Sequence, residues 1–440
     1  MIHLGYDFYE YGAIQKPNGL IGQTINEKNR DTSNIFHLYL PPYITEMFSR
    51  FDIKYKLDSP KNLEKQNLKS KWIYVLDCVG DPRGWLGKYP KGENSIKSVF
   101  SGISETTLNQ VREDKAVIMI YQPMEGYPTD WLGNDIYEII HDEIVKFKLN
   151  PKNVLYVTAN WLLEKNYKKW KPKSKYKDSE SIGVYSFNCE RYLDFKSKWE
   201  FSKPDSKLER DKHFLCYNRS PRGHRLSLLS MMHGMGLIEK GYVSCQSLDK
   251  YASRHVESYL HNIGVGKNLR TQNINHMKEF QKGVPYIVDV DEWVTNHFDT
   301  SPIWPYQKSF FSVTTNTMFD EHSIFLDEKI WKPIYNHHPF IFVGCSVGGK
   351  SSLVELRNQG FKTFHPFIDE SYDREMHPGK RLIMISKEIE RLCSYTLTEM
   401  ENWYEQLIPR LEHNHKNLFH RKSFDDFTYN FILPRIDDEI

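Results

Sequence analysis

The sequence predicts an α/β protein of two layered domains. Three observations carry that expectation. Short apolar runs end repeatedly in Gly, Pro, Asn or Asp, as buried strands do. Residues 116–160 read strand, loop, helix, strand, which is a βαβ unit and implies a parallel sheet. The same alternation resumes after a charged stretch at 195–212, "FKSKWEFSKPDSKLERDK", broken by Pro204 and read as the inter-domain linker.

In order, "WIYVLDCVG" (72–80), "AVIMIYQP" (116–123), "NVLYVTAN" (153–160) and "SIGVYSF" (181–187) read as strands of the first domain. Between the second and third, Ile136, Ile139, Ile140, Ile144 and Phe147 recur at helical spacing, and Pro151 follows the end. In the second half, 213–218 reads as strand, 225–237 as helix, 241–245 and 309–316 as strands, and 326–336 as helix. Residues 339–344 then read as strand, 353–360 as helix and 361–367 as strand, before two long C-terminal helices. Residues 246–305 read as mostly helix or loop. The expected division is 1–205, 206–400, and a helical segment 401–440 packing back on the first domain.

The bulk numbers exclude several classes. The 440 residues are 39% hydrophobic, enough for ordinary cores. Lys+Arg is 59 against Asp+Glu 57, a net +2, so any charged binding surface must be local. The six cysteines (78, 189, 216, 245, 345, 393) form no CxxC and no Cys/His cluster of zinc spacing, which fits a reducing compartment. The N-terminus has no basic and apolar leader pattern, and no run approaches ~18 apolar residues. The expectation is a soluble, cytoplasmic protein without a membrane span. Its Lys/Asn/Ile/Tyr-rich composition also points to a phage or viral protein, and so to a host cytoplasm.

Two stretches carry chemistry. In "FLDEKIWKPIYNHHPFIFVG" (325–344), Glu328 and Lys329 stand at a helix start before a buried strand. Helix N-termini offer free N–H groups and partial positive charge, and a lysine there adds a cation, so the pair suits a diphosphate. Glu328 can accept ribose hydroxyls. Asp327 and Glu328 equally suit a first turn on dipole grounds alone. In "FLCYNRSPRGHRLSLL" (214–229), a strand ends at Asn218 and a loop follows with Arg219, Arg222, His224 and Arg225, either a phosphate clamp or a basic surface loop.

On these residues the C-terminal half resembles the α1,3-fucosyltransferase family, inverting nucleotide-sugar glycosyltransferases of the two-domain GT-B fold. The matches are Asn218 and Arg225, then Asn316, then Phe325, Glu328 and Lys329, then Pro339 to Gly344, within 213–370. The resemblance implies two Rossmann-like domains facing a cleft, with C-terminal helices closing back. It implies Glu328 on a ribose, Arg225 and Lys329 on a diphosphate, and a GDP- or UDP-linked sugar as donor with no required cofactor or metal. Three departures stand out: Phe325 replaces the usual Tyr, the Asn316–Glu328 loop is longer, and Arg225 lies one residue further from Asn218. They bear on the base and sugar.

The family's catalytic base is a Glu after a strand of the acceptor domain, and Glu125 in "VIMIYQPMEGYP" stands comparably, with Asp130 in reserve and Asp77 and Asp81 ending another strand. Each is equally a solvated loop acid on its residues alone. A rival feature is the DxD of Asp289 and Asp291, a metal-ligand pair in another glycosyltransferase fold, but a frequent tripeptide. Finally, "EKNYKKWKPKSKYKD" (164–178) carries seven lysines among Tyr167, Trp170 and Tyr176, suited to a polyanion or to solvent. The acceptor expected is a glycan. Hydroxymethylated DNA, as modified by some phage glycosyltransferases, is the alternative, and a non-catalytic nucleotide-binding protein is a second.

Overall fold

The computed structural model describes residues 1–5, 43–77, 100, 103–122, 126–129, 135–189, 191, 208–218, 220–245, 248–288 and 302–437. The chain forms two compact units. The first comprises Met1–Leu193 and Arg421–Ile440, the second Asp194–His420.

The first unit holds a six-stranded, wholly parallel sheet. In chain order its strands are β1 (Ile2–Gly5), β2 (Tyr55–Asp58), β3 (Trp72–Asp77), β4 (Ala116–Gln122), β5 (Val154–Thr158) and β6 (Gly183–Ser186), arranged β2-β1-β3-β4-β5-β6. All seven residues of β4 are buried, because helices cover both faces of a parallel sheet. That is why "AVIMIY" is continuously apolar rather than alternating. Ile118 and Ile120 have no exposed surface, and each such burial contributes roughly 1.5–3 kcal/mol. Three helices matter here: α1 (Tyr43–Arg50), α2 (Glu105–Arg112) and α3 (Ile136–Lys146). α3 starts where Asp135 accepts the Tyr137 N–H at 2.9 Å, and it buries Ile136, Ile140 and Ile144. α4 (Leu163–Trp170) follows β5.

The second unit has a four-stranded parallel sheet. It comprises β7 (Lys212–Asn218), β8 (Gly241–Cys245), β9 (Ser309–Thr315) and β10 (Phe340–Val343), in the order β10-β9-β7-β8. Its helices are α5 (Gly223–Gly234), α6 (Ala252–Asn262), α7 (Lys267–Gln281), α8 (Glu328–Tyr335), α9 (Ser352–Asn358), α10 (Pro378–Leu392) and α11 (Leu397–Leu418). The chain runs from β7 outward to β8 on one side and returns to β9 on the other. This order creates a crevice at the carboxyl ends of β7 and β9, where open α/β sheets bind ligands.

Three expectations change, and two strands went unread. Residues 361–367 are not a strand. Their backbone groups are taken by side chains instead: Lys362 N–H and C=O by Asn414, Phe364 and His365 N–H by Glu370, and the Thr363 and His365 carbonyls by Arg410. The strands β1 and β2 were not read from the sequence, since four residues give too little periodicity. α5 begins at Gly223, two residues before the expected start at 225, so Arg225 lies within its first turn. The division also differs from 1–205, 206–400 and 401–440. α11 stays in the second unit, where its Tyr404 hydroxyl donates to the His337 carbonyl at 2.9 Å. The return to the first unit comes later: Phe424 meets Phe48 and Phe51, and Phe427 stacks on Phe187 with centroids 4.4 Å apart. Much of the expected linker, 195–207, lies outside the described residues. Among them, no helix is long and apolar enough to cross a membrane.

Candidate functional site

The carboxyl tips of β7 and β9 are tied together by polar side chains. Thr315 Oγ1 donates to Asn218 Oδ1 at 2.9 Å, and the Asn218 N–H donates to Ser244 Oγ of β8 at 3.2 Å. One residue beyond β9, Asn316 is fully buried. Its Nδ2 donates to the Phe325 carbonyl at 2.6 Å, and its Oδ1 accepts the Thr317 N–H at 2.6 Å. These bonds fold the 316–327 loop back to deliver the chain to α8. On the other side, His224 Nε2 meets the Asn316 carbonyl at 2.9 Å and its ring stacks on Phe319. Burial, then the nearby Arg225 charge, holds this imidazole far below its usual pKa, so it is neutral.

Arg225 reaches across from the first turn of α5. Its Nη2 donates to the carbonyls of Thr315 (3.2 Å) and Asn316 (3.1 Å), and its Nη1 to that of Ser220 (3.4 Å). Its Nε is buried and meets no acceptor among the described residues. The guanidinium therefore clamps the strand tip and places a fixed positive charge beneath it. Burial lowers its pKa, opposed chiefly by Asp327.

The head of α8 completes the cluster. Asp327, with no exposed surface, is the N-cap. It accepts the Thr317 N–H at 2.7 Å, the Lys329 N–H at 3.3 Å and Lys329 Nζ at 3.0 Å. Lys329 Nζ also pairs with Glu328 and reaches Thr317 Oγ1 at 3.3 Å. Burial raises the Asp327 pKa against the pull of Lys329. For Glu328, burial pushes up but Lys329 and Lys332 outweigh it, and the carboxylate stays ionised. For Lys329, burial pushes down and the two carboxylates prevail, so the ammonium is held. The result is a part-exposed cation and carboxylate at a helix N-terminus, seated on a buried acid.

The structure thus gathers Asn218, Arg225, Asn316, Glu328 and Lys329 of the expected site at the carboxyl end of one sheet. Phe325 sits there through its carbonyl, while its ring is 2% exposed and belongs to the core. Arg222, the exposed N-cap of α5, makes no side-chain cap bond. Among the described residues it is the accessible cation of that loop, whereas Arg225 is inward. Asp327 was legible only as a first-turn acid, and its role as a hub depends on the returning loop. Glu125, Asp130, Asp81, Arg219, Asp289 and Asp291 lie outside the described residues, and Asp77 closes β3. Among the described residues, no group of three His, Cys, Asp or Glu is placed to hold a metal.

Two other sequence features resolve differently. Gly344 to Ser351 has the Gly-x4-Gly-Lys-Ser spacing of a phosphate loop. It folds instead as a hairpin, Ser346–Val347 against Lys350–Ser351, turning at Gly348 (φ 56°) and Gly349 (φ 76°). The Ser351 hydroxyl binds Asp373 and caps the Val354 N–H, so the protein's own groups fill that helix end. In the lysine run, Lys171 is buried on the carbonyls of Tyr176 and Ser179, and Lys175 pairs with Glu138 and Asp142. Tyr167 and Trp170 face Tyr137 and His141. The aromatics thus serve the core, and Lys165, Lys168, Lys169, Lys173 and Lys177 remain exposed.

No family model and no curated protein sequence matches the chain. Among solved structures, it is similar to an alpha,alpha-trehalose-phosphate synthase (UDP-forming) from Burkholderia vietnamiensis. The likeness has 10% identity over 74% of this chain and 70% of that one, with a TM-score of 0.37. At that identity and score it assigns no activity here. The chain is an α/β protein whose two units are each Rossmann-like, built on a parallel sheet of six and of four strands.

Proposed function

We propose that the protein is a glycosyltransferase that binds a nucleotide-diphosphate sugar at the tips of β7 and β9. One observation carries the reading: Arg225, Asn316, Asp327, Glu328 and Lys329 converge where the N-termini of α5 and α8 meet the crevice of the sheet. Helix N-termini, a lysine and an exposed arginine neutralise a diphosphate, and an ionised Glu beside them accepts ribose hydroxyls. The motif resemblance to inverting α1,3-fucosyltransferases supports the same assignment.

The chemistry proposed is direct displacement. The acceptor hydroxyl oxygen bonds to the anomeric carbon as that carbon's bond to the phosphate oxygen breaks. The electron pair leaves with the nucleoside diphosphate, whose charge Lys329, Arg222 and the helix termini neutralise. The hydroxyl proton passes to a carboxylate within ~3 Å, for which Glu125 is the candidate. No metal is needed to balance this step. The acceptor proposed is a glycan. A DNA acceptor is the second reading, favoured by exposed Lys165, Lys168, Lys169, Lys173 and Lys177.

The test is turnover of nucleotide sugars by the purified chain. Release of nucleoside diphosphate is expected, and Glu125→Gln should lower turnover while donor affinity is retained. A protein that binds no nucleotide diphosphate contradicts the proposal.

A further inference from the structure

Beside the cluster, between α5 and α6, lies an open hollow of about 390 Å³. We propose that it holds the nucleobase of the bound nucleotide, and that Asp249 selects a keto base bearing a ring N–H. This rests on the diphosphate assignment above.

The hollow and the charged cluster share the first turn of α5. Gly223 lines the hollow, and the next two residues, His224 and Arg225, hold the Asn316 carbonyl. Gly223 is required there: a Cβ would lie 2.3 Å from the ring of Tyr259. Tyr259 in turn donates its hydroxyl to Asp320 at 2.6 Å, in the loop that runs from Asn316 to Asp327. The wall of the hollow and the seat of Lys329 are therefore joined through the 316–327 loop. A ligand with its phosphates at the α5 and α8 termini has this space next to it.

The lining chemistry separates a base from the other ligand parts. Leu226, Leu248 and Ala252 supply an apolar wall, and Asp249, His255 and Asn262 supply polar groups along the same lining. A second phosphate is disfavoured, because the one cationic candidate among the described lining residues, His255, faces the Asp249 carboxylate at 3.2 Å. A hexose presents hydroxyls around its whole edge and would leave some against the apolar wall unpaired. A base has apolar faces and a polar edge, which matches a lining that mixes apolar and polar side chains.

Asp249 is held as an acceptor. Its Oδ1 takes the Tyr251 N–H at 2.7 Å, and its backbone carbonyl is fixed by Gln281 Nε2 at 2.7 Å. A carboxylate accepts the ring N–H of guanine or uracil. The corresponding ring nitrogen of adenine or cytosine carries a lone pair and would be repelled. Discrimination of this kind comes from the unfavourable pairing as much as the favourable one.

The experiment is calorimetric titration of the full chain with inorganic pyrophosphate, GDP, UDP, ADP and CDP. GDP or UDP should bind at least about tenfold tighter than pyrophosphate, ADP or CDP. Ser258→Trp, at an exposed lining position that does not endanger folding, should erase that increment and leave pyrophosphate affinity unchanged. Asp249→Asn should narrow the gap between keto and amino bases. If pyrophosphate binds but nucleosides add nothing, or Ser258→Trp has no effect on them, the base assignment falls and the diphosphate site stands. If ADP or CDP binds as tightly as GDP and UDP, the role of Asp249 falls. If pyrophosphate and all four nucleotides fail to bind, both assignments fall together.

Discussion

Lys329 Nζ lies 3.0 Å from Oδ2 of Asp327, a carboxylate with no exposed side-chain surface. A buried acid of this kind is tolerated because a cation and two backbone N–H groups meet it. Removing the cation leaves the charge uncompensated. Lys329→Met is expected to destabilise the protein by about 3–5 kcal/mol in chemical denaturation. Adding Asp327→Asn should recover part of the loss, since the two residues act as a unit. Additive losses would contradict the coupling.

Arg222 separates binding from stability. It is exposed and caps nothing with its side chain, so Arg222→Ala should change stability by no more than about 0.5 kcal/mol. Donor affinity should fall by roughly 1.5–3 kcal/mol, the value of a charge-assisted bond. An unchanged dissociation constant would remove Arg222 from the site.

Arg225 should behave oppositely. Its Nη2 serves the carbonyls of Thr315 and Asn316 while its Nη1 reaches that of Ser220, a spread over two fixed nitrogens that a single ammonium cannot reproduce. Arg225→Lys is therefore expected to cost about 1–3 kcal/mol of stability through unsatisfied buried groups. A variant as stable as the parent would show that the clamp is dispensable.

These contrasts show how far the sequence reaches. Residue types and strand-to-helix order identified the β7 and β9 tips, because apolar runs and their breakers are local signals. Whether an arginine points inward or outward is not local. Arg222 and Arg225 stand three residues apart in one basic stretch, and only the carbonyls of a strand some ninety residues later pull the second one in. The same holds for Phe325, an aromatic at an expected stacking position whose ring the core claims. The Gly344–Ser351 pattern shows the converse: Gly348 and Gly349 both adopt positive φ and make a hairpin of a phosphate-loop spelling. In 361–367 the strand signal is local, but side chains of α11 and Glu370 capture the backbone.

Acid should destabilise the second unit through His338. Burial pushes its pKa down to about 3 from an ordinary 6.5, and its Nε2 donates to the Ser309 carbonyl at 2.8 Å. The folded state therefore holds a neutral ring. Above pH 6.5 this group costs nothing, and as pH falls from 6.5 toward 3 the unfolded chain takes up the proton first. The loss totals about 5 kcal/mol by linkage. Melting temperature should drop across that window, and His338→Gln should flatten the slope. Equal slopes in the two proteins would mean that His338 is not the titrating group.

The proposed diphosphate-and-ribose seat joins Lys329 and Glu328 to the termini of α5 and α8. Calorimetric titration of GDP and UDP into the native chain and into Glu328→Gln tests it most directly, because Glu328 is part-exposed and its amide variant keeps the shape. At least one of them should bind, and Glu328→Gln should weaken it roughly tenfold or more while the variant stays folded. Binding that is absent from the native chain, or indifferent to the substitution, would contradict it.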